Sequence, residues 1–194
     1  VCYGGTTRLG LQNTTVELGV TYQWQVSTTG LAGSWNPIPG AIAQSYTTPP
    51  LTATSFYNCL VTCSGISVAS ASKKIVINES CIIMPPIGSV STCNSKFFDS
   101  GDSTGNYGDN EHNILAVTPT SSTQITSVTF NSFLLNPTDS LKIYNGIGTA
   151  APLIGSFTSS PGTVSSTDIT NGALTFEFIS DGALNADGWK ATIN

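Results

Sequence analysis

The stretch Asp139-Ser140-Leu141-Lys142-Ile143-Tyr144-Asn145-Gly146 reads as a strand running into a tight turn. Leu141 and Ile143 fall on one face and Ser140, Lys142 and Tyr144 on the other, the two-residue period of a half-buried strand. Asn145-Gly146 then supplies the residues that tolerate the positive φ of a hairpin turn. Asp139 shares the parity of Leu141 and Ile143, so its carboxylate is expected at the edge of the packed face. An unpaired charge there is costly, so Asp139 needs a cation or several hydrogen-bond donors.

The same kind of run recurs on both sides. Downstream and upstream, Thr-, Val-, Ile- and aromatic-rich segments at 114–118, 125–135, 153–157, 173–179 and 188–193 alternate with Gly/Pro/Asn/Asp/Ser clusters. The apolar phase slips between Val128/Phe130 and Phe133, which predicts a β-bulge. In the first half, equivalent runs lie at 6–11, 21–27, 45–48, 55–62 and 66–77. Helical periodicity is nearly absent. The chain is therefore expected to be all-β, two tandem β-sandwich domains.

Composition narrows the function classes. The 194 residues are 39% hydrophobic and only 9% charged, with six Lys and Arg against eleven Asp and Glu for a net charge of −5. That length suits one large or two modest domains. Six basic residues neutralise too few phosphates for nucleic-acid binding. With no apolar run near ~18 residues, membrane insertion is not expected. A seam at 78–92 holds Pro85-Pro86 and Gly88, and beyond it Lys96, Lys142 and Lys190 oppose nine acids, so the second half carries the negative surplus. The expected division is a first sandwich at 1–78, a linker at 79–92 and a second sandwich at 93–194. Ile82-Ile83-Met84 is too apolar for a free tether and is expected to pack.

Five cysteines in a Thr/Ser/Gly-rich chain fit an oxidising, extracellular compartment. None forms a C-x-x-C pair, and the lone His112 stands apart from them, so zinc and thioredoxin readings lack support. Val1-Cys2-Tyr3 opens with neither a basic nor an apolar leader segment, so the chain reads as mature or excised. Cys59 and Cys63 lie on one expected strand, ~13 Å apart, too far to bridge. Connectivity is only partly constrained: Cys2 is expected to reach Cys59, Cys81 to close a short loop with Cys93, and Cys63 to be the odd thiol.

Tyr22-Gln23-Trp24-Gln25, Trp35 with Ile38-Pro39-Gly40-Ala41, Tyr46-Thr47-Thr48 and Phe56-Tyr57-Asn58-Cys59 resemble, in that order, the Ig-like modules repeated in large surface proteins of Bacteroidota-type bacteria. A Tyr two residues before a Cys, after a strand bearing Trp, is similar to the tyrosine corner of that fold. Trp24 is expected in the core, and Trp35, in a Gly-rich loop, either caps that core, the favoured reading, or serves as a binding aromatic. The resemblance implies a secreted or cell-surface protein, exported by a type IX-like route.

In the second half, Lys96-Phe97-Phe98-Asp99-Ser100-Gly101, Gly105-Asn106-Tyr107-Gly108, Val128-Thr129-Phe130, Asp139-Ser140-Leu141-Lys142-Ile143, Phe178-Ile179-Ser180-Asp181 and Gly188-Trp189 form an ordered set that resembles a CUB domain. The family's second cysteine, expected near 111–113, is missing, so Cys93 pairs elsewhere or stays reduced. One class of CUB domain holds calcium at one end of the sandwich. Carried over by position, the resemblance implies Asp139 and Asp181 as ligands and Tyr107 as a supporting residue, with uncharged Asn136 where a further acid falls. Asn185, Asp187 or carbonyls between Asp181 and Gly188 would complete the shell. The competing reading is turn chemistry alone, in Asn136-Pro137-Thr138-Asp139 and Asp181-Gly182.

Catalytic patterns are missing. One histidine rules out H-E-x-x-H and three-histidine metal sites, and no G-x-S-x-G elbow or phosphate-cradling glycine loop occurs. His112 between Glu111 and Asn113 reads as a solvated surface residue. The sequence thus points to a non-catalytic extracellular binding or adhesion segment that recognises a protein or glycan through sandwich-end loops. The CUB resemblance implies a partner bearing Lys or Arg. Two other roles are a spacer in a surface stalk or filament, and accessory domains beside a hydrolase elsewhere in the same polypeptide. Asn13-Thr14-Thr15 and Asn78-Glu79-Ser80 match the N-x-[ST] pattern, and Asp102-Ser103-Thr104 resembles a bacterial O-glycosylation signal.

Overall fold

A computed structural model describes residues 1–12 and 19–194, with the backbone alone at residue 79. The pattern Asn13-Thr14-Thr15 lies outside the described residues. The first strands are β1 (Cys2–Tyr3), β2 (Arg8–Gly10), β3 (Val20–Ser27), β4 (Asn36–Pro37), β5 (Ser45–Thr47), β6 (Ser55–Cys63), β7 (Ile66–Ala69) and β8 (Lys73–Ile75). They are followed by β9 (Asn78–Ile83), β10 (Ile87–Ser91), β11 (Ser95–Phe98), β12 (His112–Thr118) and β13 (Ser127–Leu134). The last are β14 (Ser140–Asn145), β15 (Leu153–Phe157), β16 (Thr163–Ser165), β17 (Leu174–Ile179) and β18 (Gly188–Ile193). No helix occurs among the described residues. The chain forms two compact units, one of Val1 with 6–77 and one of 2–5 with 78–194.

The first unit has two sheets, β2-β5 and β4-β3-β6-β7, with β8 also paired to β6. Alternation on β3 and β6 turns Trp24, Tyr57 and Cys59 into a core shared with Leu9, Ala41, Leu51 and Ile75. Trp24 donates its indole N–H to the Ala43 carbonyl at 2.9 Å and stacks on Tyr46 with ring centroids 6.2 Å apart. Trp35 is half-buried. The run expected at 66–77 is interrupted. Ser70 takes the Cys59 N–H on its hydroxyl at 3.0 Å in place of a ladder bond, and the chain re-enters the sheet only at β8.

The second unit stacks a six-stranded sheet, β1-β9-β11-β18-β13-β16, on a five-stranded one, β10-β12-β17-β14-β15. Leu141 and Ile143 on β14, Leu115 and Val117 on β12 and Val128 on β13 are fully buried between them, as the period-two pattern requires. Aromatic rings tie the layers together. Phe97 on β11 meets Phe176 on β17 at 5.1 Å, and Trp189 on β18 meets Phe97 at 5.5 Å and Phe178 at 5.2 Å. The expected bulge is present: the β13–β18 register shifts between Phe130 and Ser132.

Two expectations are corrected. Residues 79–92 are not a linker between sandwiches, because β9 pairs in parallel with β11 and β10 with β12. Ile82 and Met84 are buried in this unit, and Pro85-Pro86 lies where the chain passes from one sheet to the other. The cysteine pairing also differs. Cys2 is bonded to Cys81, while Cys59 is a buried thiol and Cys63 and Cys93 are exposed thiols. The reason is topological: Cys2 sits on β1, alongside β9 in the second unit, whereas Cys59 faces the core of the first.

Candidate functional site

Three loops meet at one end of the second unit: 99–111 between β11 and β12, 135–139 between β13 and β14, and 180–187 between β17 and β18. Asp139, 1% exposed, is the tie between them. Its Oδ2 accepts the Tyr107 hydroxyl at 2.5 Å, and its Oδ1 accepts the Asp181 N–H at 2.9 Å. The Tyr107 oxygen in turn accepts the Asn136 N–H at 2.9 Å. One carboxylate and one phenol thus join all three loops. Burial, and then the Asp139 carboxylate it donates to, push the Tyr107 hydroxyl up to about 12, so it remains a donor at every physiological pH.

Further ties stand behind this one. Asp99 is fully buried and accepts the Gly101 N–H at 2.8 Å and the Trp189 N–H at 2.9 Å. Burial raises its carboxyl to about 6, against the lowering effect of those two donors, and the Glu111 charge adds to the rise. Glu111 accepts the Gly108 N–H at 3.0 Å, the Ser100 hydroxyl at 2.6 Å and the Asn113 amide at 2.9 Å. The Asn110 N–H donates to the Asp181 carbonyl at 2.7 Å, and Asn185 bridges Asn106 and Asp109 at 3.0 and 3.1 Å. Asp99, Asp139 and Glu111 are therefore committed inward, whereas Asp109, Asp181 and Asp187 are exposed on the rim.

The donor set can be tested against calcium, which takes ~6–8 oxygens at ~2.3–2.6 Å. Both Asp139 oxygens already accept hydrogen bonds. The Asn136 Oδ1 is turned into its own turn, where it accepts the Thr138 N–H at 3.2 Å and hydroxyl at 2.9 Å. Asp181 closes an Asx turn on the Ala183 N–H at 2.9 Å. The Thr138 hydroxyl and that N–H hold its carboxyl below the usual range. Asp187 is exposed, and no group of three His, Cys, Asp or Glu suited to a metal occurs among the described residues. Each Asp139 oxygen keeps a lone pair, while Asn136 and Asp181 are engaged in their own turns, so no calcium cage is assembled among the described residues. Donors rather than a cation satisfy Asp139, the second of the two ways open to it.

Sequence reasoning placed Asp139, Asp181, Tyr107 and Asn136 at this end, and the structure gathers them there. It missed Asp99, whose Trp189 partner lies 90 positions away. The available signal was Gly188, at φ +66°, where an added Cβ would run into the Asp99 carboxylate. His112 is exposed but not merely solvated: its Nε2 lies 2.7 Å from the Glu177 carboxylate on the outer face of the five-stranded sheet. Glu177 also accepts the Tyr144 hydroxyl at 2.6 Å and sits 3.5 Å from the Lys142 ammonium. Burial raises the Glu177 carboxyl, but Tyr144, His112 and Lys142 together outweigh it and leave it below the usual range. The Glu177 hydrogen bond, then burial, push Tyr144 up to about 12.

The CUB domain family matches residues 88–193, and a domain of unknown function, DUF8696, matches 1–79. No curated protein matches the chain. Among solved structures, the MASP-1 CUB2 domain bound to Ca2+ is 16% identical, with a TM-score of 0.44, over 55% of this chain and 96% of that one. The CUB1-EGF-CUB2 region of human MASP-1/3 is 13% identical at a TM-score of 0.44, covering 100% and 89% of the two chains. The same region of rat MASP-1 is 12% identical at 0.46, covering 97% and 86%.

Proposed function

The chain belongs to the CUB domain family through residues 88–193, and from that premise we propose that it is a non-catalytic extracellular binding segment whose recognition surface is the three-loop end of the second unit. CUB domains are binding modules of larger proteins, and a disulfide suits an extracellular setting. No described helix is long and apolar enough to cross a membrane. The observation that carries the reading is the division of labour among the acids. Asp99, Asp139 and Glu111 lock the loops from inside, and Asp109, Asp181 and Asp187 are left exposed on the rim they hold. Loops fixed in this way lose little entropy on binding, and exposed carboxylates favour a protein partner presenting Lys or Arg.

In this reading the loop end works without calcium. Adding calcium or a chelator is expected to leave the melting midpoint unchanged, and a calcium-dependent rise would transfer the role of holding the loops to the metal. The first unit supports an Ig-like reading through its two sheets around Trp24, Tyr57 and Cys59. An array of glycans and of lysine- or arginine-bearing peptides tests the partner class. Binding that concentrates on cationic peptides, weakens with salt and falls at least tenfold in the triple variant Asp109→Asn, Asp181→Asn, Asp187→Asn supports the proposal. Binding confined to uncharged glycans, or unchanged in the triple variant, contradicts it.

A further inference from the structure

The disulfide and the division into units together say something about how this chain bears tension. The N-terminal residues 2–5 belong to the second unit, and the chain leaves that unit after Gly5 and re-enters it at Asn78. Apart from Val1, the first unit is therefore an insertion, residues 6–77, between β1 and β9 with two backbone crossings. Both crossings are anchored in the second unit. On the outgoing side, Tyr3 is buried, donates its hydroxyl to the Ser89 carbonyl at 2.8 Å and accepts the Ser89 N–H at 3.2 Å. Gly4, at φ +81°, passes so close to the Ile83 carbonyl that a Cβ would collide with it. On the returning side, Ile82 and Ile83 pair with Phe97 and Phe98 on β11. Between them runs the Cys2–Cys81 bond, Cα to Cα 5.0 Å, across a sequence separation of 79.

We infer that the first unit is carried as a covalently closed loop outside the load path, so that tension between the chain ends does not reach it. Force entering at Val1 passes from Cys2 through the sulfur–sulfur bond to Cys81 and on through the second unit to Asn194. Every residue of 6–77 is shunted out of that path by a covalent bond, which is far stronger than any fold. Unfolding of the first unit cannot lengthen the oxidised molecule. This removes the first unit from the role of an extensible spacer, whatever the second unit binds. A surface on the first unit stays folded while the ends are pulled. A partner that pulls on the first unit itself passes its load through two crossings into one clamped site instead of through one peptide strand.

Single-molecule extension of the full chain, with handles at Val1 and Asn194, tests this directly. In oxidising buffer, complete unfolding should release only the contour length beyond Cys81. Adding dithiothreitol to the same molecules should add about 26 nm, the 79-residue separation at ~3.4 Å per residue less the span of the bond. An oxidised chain, its disulfide confirmed by mass, that already releases this length would overturn the inference. So would five free thiols in the native protein. A second measurement needs no variant to fold. Trypsin cuts at Arg8, Lys73 or Lys74 within the first unit should leave the flanking fragments joined on a non-reducing gel and separate them only with reductant. Separation without reductant contradicts the closed loop.

Discussion

Tyr107→Phe removes one oxygen that serves two hydrogen bonds, the donation to Asp139 and the acceptance from the Asn136 N–H. Leaving a buried carboxylate half-satisfied and a backbone N–H unpaired should cost about 1–3 kcal/mol in a denaturant titration. An unchanged midpoint would mean that the loops are not held by this bond. Asp99 makes a prediction of opposite sign to most carboxylates. Its folded-state value of about 6 stands above the ordinary 3.8, so the folded protein retains this proton longer than the unfolded chain does. The Asp99 contribution to stability is complete below about pH 4 and disappears as pH rises through about 6, a loss on the order of 3 kcal/mol. Glu177, held below its ordinary value, acts oppositely: its contribution is present above pH 4.5 and fades as pH falls further. Stability should therefore peak near about pH 4–5 and fall toward neutrality, and Asp99→Asn should flatten that fall. A thermal-melt series across pH 4–8 in both proteins reads this out. Asp139 was legible in the sequence because strand parity with Leu141 and Ile143 fixes the side to which it points. Asp99 was not, since its burial depends on a backbone N–H supplied from β18.

At the scale of elements, the long alternating strands were readable, as were short β2 and β5, while β1, β4 and β16 were not. β15 and β18 run as expected, and β6 and β14 extend a residue further, because packed faces impose the two-residue period. β9 and β10 were hidden by Pro85-Pro86, which marks a passage between sheets rather than a boundary between domains. The start of β18 is the most constrained point of the loop end. Gly188 holds φ +66° and an added Cβ would fall on the Asp99 carboxylate, so Gly188→Ala meets both backbone strain and a collision. It should destabilise the protein by more than about 2 kcal/mol. Gly162→Ala, at φ +71° with nothing near the added Cβ, meets only the strain and should cost about 1 kcal/mol. Equal losses from the two substitutions would show that the Asp99 contact carries no energy.

For the whole molecule, the pairing Cys2–Cys81 was unreadable from spacing, because nothing in Val1-Cys2-Tyr3 tells that this segment pairs with β9 across the inserted unit. Closing so long a loop restricts the unfolded chain strongly, so Cys2→Ser should lower stability by about 2–5 kcal/mol. Cys93→Ser, at an exposed thiol, should change it by less than about 0.5 kcal/mol. Similar effects from both substitutions would place the bond elsewhere. The charge asymmetry between the halves was legible, and the structure shows how it is divided: inward acids fix loops, and rim acids meet solvent. Recognition at that rim is most directly tested by amide hydrogen exchange on the full chain, with and without a saturating arginine-bearing peptide selected on the array. The predicted result is protection gained in 99–111, 135–139 and 180–187, with the sheet faces and the first unit unchanged. Protection gained on a sheet face or within 6–77, and none in those three loops, would contradict it.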